Sequence, residues 1–321
     1  MSSLRFDKIS GNSVIINENR RNRPHDVNNT IQNTEIKNNL NTCPFCPGNE
    51  EKTPKEIFHI GEPWSLRVMP NKFPIIENKF KDTARQDFNI YKNLTGEHYV
   101  IIDSNKHFNY LHKMNIDEIN NLIACYKESI EKLYNNKSIK YVQLFKNYRI
   151  EGGASLEHTH SQIISMNFYP ENVDEIIQNS QKHYKKNNSC IFCDLINYEL
   201  KSKKRIVFEN KSFVIITPYA SFYPYETAIY PKEHSSSFTS IDKEKISDLS
   251  EALSFISKKL YKNLMDPAYN LYFNNLQYEN TYFHWSISIT PRITKQAGFE
   301  LSTGVMVNEI SPEKARDILS H

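Results

Sequence analysis

Two C-x-x-C pairs, each followed by two histidines, constrain this chain more than any other feature. The first set is Cys43, Cys46, His107 and His158, and the second is Cys190, Cys193, His234 and His284. The histidines of the two sets are 51 and 50 residues apart. Between the members of each histidine pair lie a long amphipathic stretch and then a strand pattern. The order and the spacing read as an internal duplication. Two thiolates and two imidazoles make up a tetrahedral zinc donor set, and a two-residue gap lets both sulfurs turn onto one ion. The competing reading of His234, in the polar run PKEHSSS, is a surface residue. That of His284, beside Trp285, is a core histidine. The fifth cysteine, Cys125, sits in a periodic apolar stretch and reads as a buried core thiol. Disulfides fit poorly: the opening MSSLRFDKIS has no apolar signal region, and 321 residues are enough for a core without staples.

The patterns between these landmarks mix helices and strands. Residues 116–133 place apolar side chains at helical spacing, with Asp117 near the positive end. Strand patterns occur at 12–16, 64–68, 99–103 and 140–145, and again at 161–166, where polar and apolar residues alternate. In the second half, strands are expected at 206–209, 213–217, 226–230, 269–274 and 283–290. Helices are expected at 194–201, 241–262 and 312–319, the last with Pro312 in its first turn. The polar run NENRRNRPHD and the stretch around Gly298 read as loops. The fold expected is therefore α+β, with two halves, 1–185 and 186–321, each an antiparallel sheet with packed helices. The polar segment 175–189 forms the boundary.

HTHSQ at 158–162 is the sharpest chemical feature. Side chains at i and i+2 of a strand share a face, so His158, His160 and Gln162 can line one side. Gly152, Gly153 and Ala154 come just before, where small residues let amides approach a phosphate. Ser155 adds a hydroxyl. A neutral imidazole can attack phosphorus and split one hard transfer into two easier ones. A histidine pair that only binds metal accounts for the motif as well, and the residues alone leave both readings open. Arg20 and Arg23 suit phosphate oxygens but equally suit a solvated surface. Phe299 and Glu300 suit the packing and hydroxyls of a sugar. A formal net charge of +3 argues against a nucleic-acid partner. No apolar run approaches a membrane span, so a soluble, cytoplasmic protein is expected.

Together RNRP (21–24), CPFCPGNE (43–50), PNKFP (70–74), GEHYVIIDSNKH (96–107), GGASLEHTHSQI (152–163), CIFCD (190–194), FHWSISITPR (283–292) and AGFELSTG (297–304) resemble the galactose-1-phosphate uridylyltransferase family, the large branch of the histidine-triad superfamily. The resemblance covers nearly the whole chain. It implies two fused histidine-triad-like halves and His160 as the residue that becomes nucleotidylated. It further implies that Gln162 holds the transferring phosphate, with Ser155 assisting and Asn147 positioning the histidine. Arg20, Arg23, Asn71, Phe73 and Gly153 fall on the nucleotide side, and Phe299 and Glu300 on the hexose side. Zinc is implied on the first Cys-Cys-His-His set. A second zinc on the other set is a feature of the related ADP-glucose phosphorylases. The implied substrates are a nucleotide sugar and a hexose 1-phosphate or phosphate, and the implied assembly is a homodimer. HTHSQ departs from the uridylyltransferase HPHGQ or HPHSQ towards the phosphorylase style. Ser286 and Asn274 replace histidines found in many relatives. The first expectation is a UDP-hexose:hexose-1-phosphate uridylyltransferase. The alternatives are an ADP-glucose phosphorylase or adenylyltransferase, or a zinc-stabilised nucleotide-binding protein without turnover.

Overall fold

The computed structural model describes residues 2–22, 40–76, 85–86, 89–90 and 94–321. In chain order the first-half strands are β1 (Ser3–Phe6), β2 (Ser13–Ile16), β3 (Phe58–Ile60), β4 (Leu66–Pro70), the short pair β5 (Arg85–Gln86) and β6 (Asn89–Ile90), β7 (His98–Ile102), β8 (Tyr141–Tyr148) and β9 (His160–Met166). They are followed by β10 (Ile206–Glu209), β11 (Phe213–Ile216), β12 (Thr227–Pro231), β13 (Tyr269–Asn274), β14 (Ser286–Pro291) and β15 (Met306–Asn308). The helices are α1 (Ile116–Tyr134), α2 (Glu171–Asn187), α3 (Ile191–Ser202), α4 (Lys243–Asn263), α5 (Gly298–Thr303) and α6 (Pro312–Ser320).

Ten antiparallel strands form one sheet in the order β10-β11-β12-β14-β13-β8-β9-β7-β4-β3. Read outward from the central β8·β13 pair, the two sides follow the same plan, so the duplication in the sequence is a duplication in space. The register fixes the correspondence. Phe145 faces Gln162 across β8·β9, Tyr272 faces Ser288 across β13·β14, and Phe145 and Tyr272 face each other across the junction. A local two-fold axis through that pair relates His158 to His284, His160 to Ser286 and Gln162 to Ser288.

Helices α1 and α4 cover one face of this sheet and pack against each other. Helix α1 starts in a capping box: the Asn115 side chain accepts from Glu118 N, and the Glu118 carboxylate accepts from Asn115 N. Its buried stripe includes Ile119, Leu122, Ile123, Tyr126 and Ile130. These pack with Leu144 and Ile163 of the first half and with Phe273 and Ile287 of the second, giving a core that runs through both. Each fully buried Ile or Leu there contributes about 1.5–3 kcal/mol. Strand alternation then commits the other side chains. Ser161 and Ile163 point to the helices, while His160 and Gln162 point to the opposite face with Val100 and Ile102.

The polar segment expected as the boundary is mostly helix, ended by Asn188 in the left-handed conformation. The expected loop around Phe299 is instead α5. Its N3 residue Glu300 bonds back to Ala297 N, and Gly304 ends it at positive φ. The first strands of the chain associate with its last: β2 runs antiparallel to β1 and parallel to β15. Among the described residues no helix is long and apolar enough to cross a membrane.

Candidate active site and metal centres

Each Cys-Cys-His-His set converges. In both, the four ligand atoms lie within 4.8 Å of one another. The His158 Nδ1 sits 3.6 Å from Cys43 Sγ and 3.5 Å from Cys46 Sγ. Metal–ligand lengths of about 2.3 and 2.0 Å in a tetrahedron require S···N separations of about 3.5 Å. For three of the four histidines the nitrogen that faces away from the cluster is also held. His158 Nε2 donates to Ser104 O (2.7 Å), His234 Nε2 to Asn280 O (2.7 Å) and His284 Nε2 to Pro231 O (2.8 Å). A carbonyl only accepts, so each Nδ1 is the unprotonated nitrogen and points at the thiols, the outer-sphere arrangement of zinc histidines. Burial and the neighbouring Cys43 push the Cys46 thiol up to about 11. Thiolates in such a place call for the charge of a divalent cation. Both clusters therefore fit structural zinc.

One zinc-type histidine lies two residues before the candidate nucleophile. His160 Nδ1 donates to His158 O at 2.8 Å, which leaves Nε2 as the free, basic nitrogen. His160 is 6% exposed, and burial lowers its pKa from the ordinary histidine value, so the imidazole is neutral at pH 7. Behind it is a buried ion pair. Lys146 Nζ donates to Asp103 Oδ2 (2.6 Å), Thr159 Oγ1 (2.8 Å) and the His160 carbonyl (3.2 Å). Ser161 Oγ also donates to Asp103 Oδ2 and is bonded to the Tyr126 hydroxyl of α1. Backbone and helix are thereby tied together directly under the histidine.

Gln162 is oriented by a partner that the motif analysis did not single out. His98 Nδ1 accepts from Ile75 N at 3.2 Å, so its Nε2 carries the proton and donates to Gln162 Oε1 at 2.9 Å. Asn71 Nδ2 reaches the same oxygen at 3.5 Å, and Asn71 Oδ1 accepts from Phe73 N. With its oxygen occupied, Gln162 keeps its amide N–H groups for another acceptor. Phe73, 81% exposed, stands beside this group as an open aromatic face.

The glycine turn serves shape rather than donation. A Cβ on Gly152 would meet Tyr269 O at 2.9 Å, and Gly153 has φ +88°. The amides of Gly152, Gly153 and Ala154 donate to Arg149 O and Ile150 O, so these three are not free to cradle a phosphate. Asn147 Nδ2 holds Gly153 O at 3.4 Å, and Asn270 Nδ2 bridges Asn147 Oδ1 and Gly152 O. Ser155 is exposed in the same turn. The structure thus groups Gln162 and Asn71 with His98, puts His160 on the same strand face as Gln162, and uses Asn147 to brace the glycine turn. The other expected residues have different neighbours. Arg20 Nε faces Glu309 at 3.6 Å, Glu300 is buried as a helix cap, and Phe299 is half exposed on α5. Arg23 lies outside the described residues.

Comparison with known proteins agrees with this geometry. A family model described as a domain of unknown function (DUF4921) matches residues 77–321. An ADP-glucose phosphorylase of Arabidopsis thaliana is 31% identical over 98% of this chain and 92% of its own length. The chain belongs to the galactose-1-phosphate uridylyltransferase family of the histidine-triad superfamily. A galactose-1-phosphate uridylyltransferase of Thermotoga maritima is 25% identical over 98% of the chain and 96% of its own length. The crystal structure of an Arabidopsis thaliana ADP-glucose phosphorylase with bound ADP-glucose superposes with a TM-score of 0.87 at 29% identity, covering 100% of this chain and 99% of that one. Fold and site together make this chain a histidine-triad nucleotidyltransferase.

Proposed function

We propose that this enzyme is an ADP-glucose phosphorylase working through an adenylyl-His160 intermediate. The observation that carries the transfer chemistry is the His160 ring: its Nδ1 proton is held by a carbonyl, its Nε2 is free, and burial keeps it neutral. In the first half-reaction Nε2 attacks the α-phosphorus of ADP-glucose. A P–N bond forms, the P–O bond to the β-phosphate breaks, and glucose 1-phosphate leaves. In the second, an oxygen of inorganic phosphate attacks the same phosphorus, ADP forms and neutral His160 is regenerated. Glucose 1-phosphate is a leaving group of low basicity, and in the second step the P–N bond breaks and the imidazole leaves as a neutral ring, so neither step needs a strong general acid. Gln162, with its oxygen pinned by His98, offers N–H donors to the transferring phosphoryl oxygens.

The choice of ADP-glucose and phosphate rests on similarity: 31% identity to a phosphorylase against 25% to a uridylyltransferase. This supports the phosphorylase reading over uridylyl transfer, the first expectation from the sequence. The HTHSQ wording and the second Cys-Cys-His-His set support the same order. Catalysis by a homodimer is part of the proposal. A panel of ADP-glucose and UDP-hexoses, each with phosphate or a hexose 1-phosphate as acceptor, tests it. ADP release that depends on ADP-glucose and phosphate is expected. Turnover only with a UDP-hexose and a hexose 1-phosphate would return the assignment to uridylyl transfer.

A further inference from the structure

The two-fold axis that generates the catalytic pocket also generates a counterpart in the second half. That counterpart is a cavity of about 830 Å³, lined by β12, β13 and β14, by α3 and by the segment that follows β1. Its volume is within the ordinary range for small-molecule sites. We propose that this cavity is a second, non-catalytic ligand site that takes an uncharged saccharide.

The register shows what has been exchanged. Ser286 stands for His160 and Ser288 for Gln162. His98 faces Ile164, whose two-fold mate is Thr290. Carrying the β12·β14 register back one residue from Thr227 puts Glu226 at that level, in the place of His98. Asn274 keeps the amide of Asn147. The nucleophile and the phosphate-facing amide are gone, and hydroxyls and a carboxylate occupy their places. Glu226, Glu199 and Asp7 all line the space. Of the arginine and lysine side chains in the lining, Arg205 is buried and bound by Glu199 and Glu313, and Lys8 is exposed. A phosphate or nucleotide would meet carboxylates and find no uncommitted buried arginine. A polyhydroxylated neutral ligand would find acceptors and switchable hydroxyls.

A buried group without a partner points the same way. Glu199 is 0% exposed and lines the cavity. Its Oε1 takes two Arg205 hydrogen bonds, and among the described residues Oε2 has no partner. A buried carboxylate oxygen left unpaired is costly, and a hydroxyl donor satisfies it. Asn274 Nδ2, at 3.4 Å from both Ser286 Oγ and Ser288 Oγ, makes only long bonds that a ligand can replace. Burial pushes Glu226 up to about 7, so near neutrality it serves as acceptor or donor. Tyr198, 57% exposed in the lining, gives the flat apolar face on which sugar rings pack.

The test is a saturation-transfer NMR titration of maltose and glucose into the full-length His160→Asn protein, with and without saturating ADP-glucose. Saturable binding is expected with a Kd of about 1 mM, as suits a small neutral ligand held by a few hydrogen bonds. It should survive ADP-glucose and weaken about tenfold or more in Ser288→Leu, which fills the cavity. Tyr198→Ala, at an exposed position, should weaken it as well and guards against a folding defect in the first variant. In the otherwise wild-type enzyme, Ser288→Leu should leave nucleotidyl transfer unchanged. Three results would overturn the proposal: no saturable binding of either sugar up to about 10 mM, displacement of the sugar by ADP-glucose, or binding equal in wild type and both pocket variants.

Discussion

Replacing Lys146 with Met removes the positive member of the ion pair beneath the nucleophile while roughly keeping its volume. The Lys146 and Asp103 side chains are 2% and 0% exposed. In the variant, among the described residues, Asp103 Oδ2 keeps only the Ser161 hydroxyl, and Oδ1 already has no partner. Breaking a buried pair from one side costs about 3–5 kcal/mol, because a charge is left uncompensated. With a urea dependence of about 3 kcal/mol per M, the unfolding midpoint should fall by about 1–1.7 M. The double variant Asp103→Leu/Lys146→Met removes both charges and should recover most of the loss. Circular dichroism during urea unfolding of the metal-loaded protein measures all three forms. A single variant within about 1 kcal/mol of wild type, well below the cost of a broken buried pair, would refute the reasoning. So would a double variant no more stable than the single.

His98→Phe keeps a ring but frees the Gln162 oxygen. Turnover should fall about ten- to hundredfold, the cost of a displaced phosphate-holding group, with a smaller change in KM, read by steady-state kinetics. Burial lowers the His98 pKa from 6.5, and the neutral ring is the form that accepts from Ile75 N and donates to Gln162. The turnover-determining state is therefore present at neutral pH and is lost only as pH falls below the ordinary histidine range. A pH–rate profile should be flat at neutral pH and drop on the acid side of the ordinary histidine range. Elemental analysis should give about two zinc per chain, one for each tetrahedral donor set, and Cys43→Ser should lose one of them together with thermal stability. Light scattering should give twice the monomer mass.

The sequence made the architecture legible because the duplication leaves marks that need no tertiary information. The Cys and His spacings, the helical stripe of α1 and the alternation in β9 are each local. What was hidden depended on registry between distant strands. Nothing near His98 signals that its Nε2 meets Gln162, since the two are brought together only by the β7·β9 pairing. Lys146 lies in a strand pattern whose other members are apolar or partly buried polar residues. Its burial depends on Asp103 from β7's end, 43 residues away in the chain. Composition alone makes the glycine turn an amide cradle, but the three amides close their own turn. The α5 helix was missed because six residues carry too little periodicity to stand out, although Glu300 followed by Gly304 is a cap signature at both ends. Arg20 and Glu300 were grouped with the phosphate and sugar by resemblance, whereas their contacts run to Glu309 and Ala297.

The central claim is that His160 carries the nucleotidyl group between two half-reactions. The direct measurement is intact-protein and peptide mass spectrometry after incubation with ADP-glucose in the absence of phosphate. The account predicts an added adenylyl group on the peptide that contains His160. Inorganic phosphate should remove it and release ADP, and the adduct should be absent from a His160→Asn protein that keeps its zinc and its fold. Near-normal turnover by His160→Asn, or phosphate-dependent turnover of the wild type with no adduct on that peptide at any stage, would contradict it.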